Sequence, residues 1–223
     1  MNKKLYIANL ISNAVITALF LVAVIYMFFV PLPGDSALMD NQRWMMFRYF
    51  TIDSNYIMGI SAIISLVYLI IYKGKKYPTW VGILKITGVT GVFITFLVTF
   101  TMLGPLYGYA KMIEHVSLYM HLLIPVISVA TLVLFEPRVE IKFRWTPLFV
   151  VPLFVYGLFY MINVYVNNGF GNVNYDWYAF GAGGPVISIF VFLGVLLVGY
   201  GLSLALYFVL KKFKGLFNKE KEA

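Results

Sequence analysis

Six stretches of this chain are apolar for long enough to cross a bilayer, at approximately 5–30, 47–72, 80–103, 116–135, 147–166 and 185–210. Each is close to or above the ~20 residues that a hydrocarbon core requires of a helix. Backbone groups in lipid must be satisfied within the protein, and these runs lack the short alternating pattern of a barrel strand, so they read as helices. The expected fold class is therefore all-α: a polytopic membrane protein with six transmembrane helices in one bundle. No long polar segment divides residues 1–223, so a single domain is expected. Hydrophobic residues make up 61% of the chain and charged ones 12%, a balance that excludes an ordinary soluble domain. The Met-Asn-Lys-Lys start has the charge of a signal peptide, but the run after it is too long and no Ala-x-Ala-like site precedes Pro31. It reads as the first helix.

The basic residues sort by side. Lys3 and Lys4 precede the first span, Lys73, Lys75 and Lys76 follow the second, and Arg138, Lys142 and Arg144 follow the fourth. Lys211, Lys212, Lys214, Lys219 and Lys221 lie in a basic tail at 211–223, whereas the opposite loops hold only Arg43, Arg48 and Lys111. Short cytoplasmic loops carry the excess of Lys and Arg, so both termini are expected in the cytoplasm. The net charge of +8 then faces anionic lipid headgroups, and membrane lipids are the expected partner. Nucleic acid is not, because the charges follow topology and not a groove-tracking stripe. With no cysteine, thiolate chemistry, disulfides and Cys-ligated metals are excluded. Gly82, Gly88 and Gly91 in the third span and Gly194, Gly199 and Gly201 in the sixth read as helix-packing positions. No internal repeat relates the two halves.

Polar residues concentrate near the outward ends of the spans. In Arg48-Tyr-Phe-Thr51-Ile-Asp53-Ser54-Asn55, helical spacing places Thr51, Ser54 and Asn55 on one face with Arg48 a turn outward, while Asp53 points elsewhere. A carboxylate inside a span is costly by roughly 2.5–3.5 kcal/mol, so Asp53 is expected to find a partner such as Arg48 or Lys111. His115 and His121 are the only histidines; six residues apart, they are not an i, i+4 metal pair, and neither metal nor cofactor is expected. Thr51 and His121 enter the membrane from the same side at one depth, where a histidine can act as general base for a threonine hydroxyl. The last outward loop, 167–184, mixes turn formers with aromatics around Asp176-Trp177-Tyr178 and reads as a cap or an interface anchor.

Three blocks in this order resemble the androgen-induced family of six-helix membrane proteins: Tyr49-Phe50-Thr51-Ile52-Asp53-Ser54-Asn55, Met120-His121-Leu122-Leu123-Ile124-Pro125, and Trp177-Tyr178-Ala179-Phe180 leading to Gly184-Pro185. Animal members hydrolyse fatty acid esters of hydroxy fatty acids with a Thr nucleophile and a His. The resemblance, which is to the bacterial relatives in particular, implies a lipid-ester substrate, a bacterial plasma membrane, Thr51 as nucleophile and His121 as base. Ser54, Asn55, Trp177 and Tyr178 are expected at the substrate or oxyanion, and Arg48 and Asp53 in structural polar roles. The chain departs from the animal pattern in lacking a proline in the aromatic loop. The competing expectations are a small-molecule or lipid transporter and a non-catalytic scaffold. Transport would need polar groups in the inward half of the bundle, where Lys85 is read as snorkelling to the cytoplasmic surface.

Overall fold

The computed structural model describes residues 3–29, 45–73, 78–136 and 141–219, with side chains described to Phe213. The loop with Arg43, the linker residues Lys75 and Lys76, Arg138 and the chain beyond 219 lie outside the described residues. Among the described residues six helices are long and apolar enough to cross a membrane: α1 (Lys3–Phe29), α2 (Phe50–Tyr72), α3 (Thr79–Tyr107), α4 (Val116–Leu134), α5 (Phe143–Val166) and α6, which runs Pro185–Lys219. The surface is apolar where a soluble protein's would be charged, with Phe29, Ile71, Phe159, Phe190 and Leu197 more than half exposed. The interior holds Asn9, Asn13, Asn55, Lys85 and several hydroxyls beside its apolar core. That inversion is what lipid as solvent demands: burying apolar groups gains nothing against lipid tails, so packing and internal hydrogen bonds hold the helices together.

α3 is the most buried of the six and α6 the least. A core of Ile16, Phe20, Met58, Val89, Ile124 and Phe149 joins α1, α2, α3, α4 and α5, and Leu206 adds α6. α2 and α3 approach closely because the crossing lacks side chains: a Cβ on Gly88 would stand 2.9 Å from the Met58 Cα, and one on Gly91 3.0 Å from the Ser54 Cβ. Of the sixth-span glycines only Gly199 serves packing, against Leu153 and Ile94; Gly194 and Gly201 face open space.

Several boundaries depart from the sequence reading for local reasons. α2 starts at Phe50 and not at 47, because Met45–Arg48 forms a separate 3₁₀ turn that ends on extended Tyr49. Arg48 is thus off the helical face that carries Thr51. α5 starts at Phe143, four residues early, as a 3₁₀ segment to Val150; Pro147 and Pro152 stop a regular α-helix from forming before Val151. α6 carries the start of the basic tail as helix to Lys219.

Two π turns sit at one end of the bundle, Thr99–Leu103 in α3 and Tyr119–Leu123 in α4. Each is followed within two residues by a proline, Pro105 and Pro125. A proline has no N–H for the carbonyl four residues back and its ring crowds that carbonyl, so the preceding turn widens. Pro125 acts on the carbonyl of His121. The bundle therefore has two distinct ends. The loop end carries the start of α2, both π turns and residues 167–184; the terminal end carries the start of α1 and the tail.

Candidate functional site at the loop end

Thr51 lies in the first turn of α2 and lines an apolar cavity of about 60 Å³ between α3, α5 and α6. That is room for more than one water. Leu153, Phe192 and Leu196 are among its apolar walls, and the polar groups are Thr51, Thr95, Thr99 and the phenols of Tyr156, Tyr160 and Tyr178. The loop 167–184 closes it from above as a folded cap. Asp176, 1% exposed, is the knot of that cap: its carboxylate accepts the Gly171 N–H at 2.8 Å, the Gly181 N–H at 2.9 Å and the Tyr160 hydroxyl. Asn163 Nδ2 donates to the Tyr175 carbonyl at 2.8 Å, tying the cap to α5.

The aromatic pair of the cap faces inward. Trp177 Nε1 donates to the Tyr156 hydroxyl at 3.1 Å, and that hydroxyl donates in turn to the Arg48 carbonyl. The Tyr178 oxygen accepts the N–H of Phe50, the residue beside Thr51, at 3.0 Å. The Tyr178 hydroxyl is also paired with the Tyr156 hydroxyl, and a hydroxyl proton can turn from such a pair to a third acceptor. Burial pushes the Tyr178 phenol well above its ordinary range, so it stays protonated. Arg48 stacks its guanidinium over Tyr49 and Trp177 at 5.0 and 5.6 Å and donates to the Tyr49 hydroxyl at 2.9 Å.

His121 is buried in the π turn of α4, and its Nδ1 lies 2.8 Å from the Met112 carbonyl. A carbonyl can only accept, so Nδ1 carries the hydrogen and Nε2 is left as the basic nitrogen of the neutral ring. His115 is elsewhere: exposed, stacked on Tyr26, with positive φ at the entry to α4. Among the described residues no hydrogen bond joins Thr51 to His121, and His121 is not in the cavity wall. What links them is Asn55, whose Nδ2 donates to the Thr51 carbonyl at 2.7 Å and to the Met120 carbonyl at 3.2 Å. One side chain ties the turn of Thr51 to the turn of His121.

Three expectations change. Both amide hydrogens of Asn55 are given to carbonyls, and its Oδ1, fully buried and unpartnered among the described residues, is an acceptor, so it has nothing to offer an oxyanion. Ser54 is 1% exposed, with its hydroxyl on the Thr51 carbonyl at 3.1 Å and on Thr95 Oγ1 at 3.0 Å, a helix-to-helix contact. Asp53 is joined by no ion pair among the described residues, neither to Arg48 nor to Lys111; it is half-buried and within electrostatic reach of Tyr178. Tyr156 was missed by sequence reasoning, since one tyrosine on an apolar helix carries no signal until the cap is placed against it.

No cluster of three or more His, Cys, Asp or Glu side chains that could hold a metal ion occurs among the described residues. Set against known proteins, the chain matches no family model, no curated protein and no solved structure.

Proposed function

We propose that this membrane protein hydrolyses lipid esters, with Thr51 as nucleophile, His121 as general base and the Tyr178 hydroxyl as oxyanion donor. The observation that carries the reading is that Thr51 and Tyr178, two residues with hydroxyls, line one apolar cavity. The cavity is within the span of the helices, so its ligand is drawn from the lipid phase. In the proposed cycle the Thr51 oxygen attacks the ester carbonyl while its proton passes to His121 Nε2. The alcohol leaves with that proton; water, deprotonated by His121, then attacks the acyl-threonine, and the acid is released as His121 returns the proton to the Thr51 oxygen. No hydrogen bond joins nucleophile and base among the described residues; catalytic bonds of this kind often tighten only in the complex with substrate. Asn55 holds the two turns together meanwhile, and the Met112 carbonyl sets the tautomer. Asp53 has no part in orienting His121.

The topology belongs to the same proposal: termini and Lys85 end in the cytoplasm, cap outside, in a bacterial plasma membrane. Cysteines introduced at Val173 and at Lys211, both exposed, separate the orientations. An impermeant thiol reagent on intact cells should label the first and spare the second. The function is tested by release of free fatty acid from a panel of long-chain esters in bilayer-reconstituted protein. Thr51→Ala should abolish the release and Thr51→Ser should keep part of it. Wild-type rates in Thr51→Ala would overturn the mechanism.

A further inference from the structure

The terminal end holds charges that the loop-end chemistry does not use. Lys85 does not snorkel; it is 1% exposed, six residues into α3 and so about 9 Å along the helix from its start. Its ammonium lies 3.2 Å from Glu136 Oε1, just past the end of α4, and donates to Asn13 Oδ1. Asn13 Nδ2 donates to the Asn9 carbonyl at 3.0 Å and to Glu136 Oε1 at 3.3 Å, and Asn9 Nδ2 reaches Glu136 Oε2 at 3.4 Å. Both asparagines are fully buried. Taking two ions out of water rarely repays itself in stability, and apolar residues of similar volume usually do as well or better. Ionisable groups kept inside a membrane bundle therefore point to a role in moving charge.

A second, independent set of groups leads away from this centre toward the loop end. Thr90 on α3, Ser128 on α4, Thr99 on α3 and Asn55 on α2 are all at most 1% exposed, yet Thr90 Oγ1, Ser128 Oγ, Thr99 Oγ1 and Asn55 Oδ1 have no hydrogen-bond partner among the described residues. Hydroxyls in such helices commonly bond back to their own backbone, as Ser61 and Thr131 do at 2.8 and 2.7 Å. These do not. Buried polar atoms of that kind are the ones ordered waters bridge. Four of the five buried polar residues of α3, Lys85, Thr90, Thr95 and Thr99, follow at four- and five-residue steps, a rise of about 6–8 Å each; the fifth is Thr87.

We propose that the bundle interior is a proton path between the loop end and the terminal end, with Lys85 and Glu136 as its exchanging pair. A proton passes from the Lys85 ammonium to the Glu136 carboxylate along the bond between them, leaving an amine and an acid with no net change of charge. Glu136 then loses that proton to water at the terminal end, and the amine takes the next proton from the hydroxyl and water chain above it. The flow runs down whatever proton gradient is present and needs no redox partner. It holds whether or not Thr51 is a nucleophile.

The test is proton entry into neutral-lipid vesicles carrying an internal pH dye, driven by a valinomycin-clamped potassium gradient. Vesicles with the wild-type protein should acidify several-fold faster than protein-free ones. Glu136→Gln and Lys85→Met should bring the rate back to the protein-free level, and Lys211→Gln, an exposed cation, should leave it alone. Because a stranded buried ion can prevent folding, Thr90→Val and Ser128→Ala provide a second arm: each removes one unpartnered hydroxyl, should melt like the wild type, and should slow the flux. Wild-type flux equal to that of empty vesicles would overturn the proposal, as would flux unchanged in both hydroxyl variants.

Discussion

The two ends of the bundle are both polar inside, and they handle polarity in opposite ways. At the terminal end a full positive and a full negative charge are sealed together with two asparagines, and the atoms of that cluster are bonded to each other. At the loop end the buried carboxylate of Asp176 is spent inside the cap, and the groups that surround the cavity are neutral. Membrane burial tolerates charge only when it is matched, so the first arrangement resists opening. The second leaves donors and acceptors for something else to meet. The cap makes the same point in small: Asp176 spends its carboxylate on holding loop to helix, whereas the Tyr178 hydroxyl meets the Phe50 N–H and the Tyr156 hydroxyl at the cavity wall.

If the contrast is right, the largest effect falls on turnover. Removing a general base typically costs 10²–10⁴-fold, so His121→Ala should lose about that much ester hydrolysis. The Thr51→Ala/His121→Ala double variant should lose little more than either single one, because nucleophile and base act as a unit. Additive losses would separate the two residues. Next comes the sealed end. Lys85→Met strands Glu136 and should cost roughly 3–5 kcal/mol of stability in detergent, while Lys85→Met with Glu136→Leu should recover most of it. A double variant no better than Lys85→Met alone would show that the pair is needed for folding itself.

Tyr178→Phe keeps the ring and removes the donor. Loss of one oxyanion donor costs about 10²–10³-fold in turnover, with little effect on substrate binding. The same variant has a pH signature. The folded state holds the Tyr178 proton where the unfolded chain, with a phenol near pH ~10, gives it up. The stability this contributes is complete below that pH and is lost as pH rises beyond it, so Tyr178→Phe should flatten the alkaline limb of the melting curve. The smallest effect is expected at Asp53. With no ion pair to break among the described residues, Asp53→Leu should leave the melting temperature unchanged or raise it. A clear drop would mean that the carboxylate has a partner outside the described residues.

The six spans were legible because hydropathy over about twenty residues is a local signal, and their order put Thr51, His121 and Tyr178 at one end by simple alternation. Local signals ended there. The 3₁₀ start of α5 was hidden because Lys142 and Arg144 read as loop, though Pro147 permits the tighter turn. The proline-linked π turns were visible as residues but not as geometry. The tautomer of His121 depends on a backbone carbonyl, which has no sequence signature. Lys85 was misjudged for a related reason: its partners are Asn13, 72 residues away, and Glu136, in the connection after α4, and neither stands out on its own. By residue type Asn55 reads as an oxyanion donor, and only its two carbonyl partners reveal it as a brace.

The central claim is that Thr51 carries the reacting oxygen, and covalent capture tests it most directly. Bilayer-reconstituted protein is treated with a fluorophosphonate that reacts with activated serine and threonine hydroxyls, and the adduct is located by mass spectrometry. One adduct is expected, on Thr51, absent from Thr51→Ala and much weaker in His121→Ala. An adduct on another hydroxyl, or labelling as strong in Thr51→Ala as in the wild type, would contradict it.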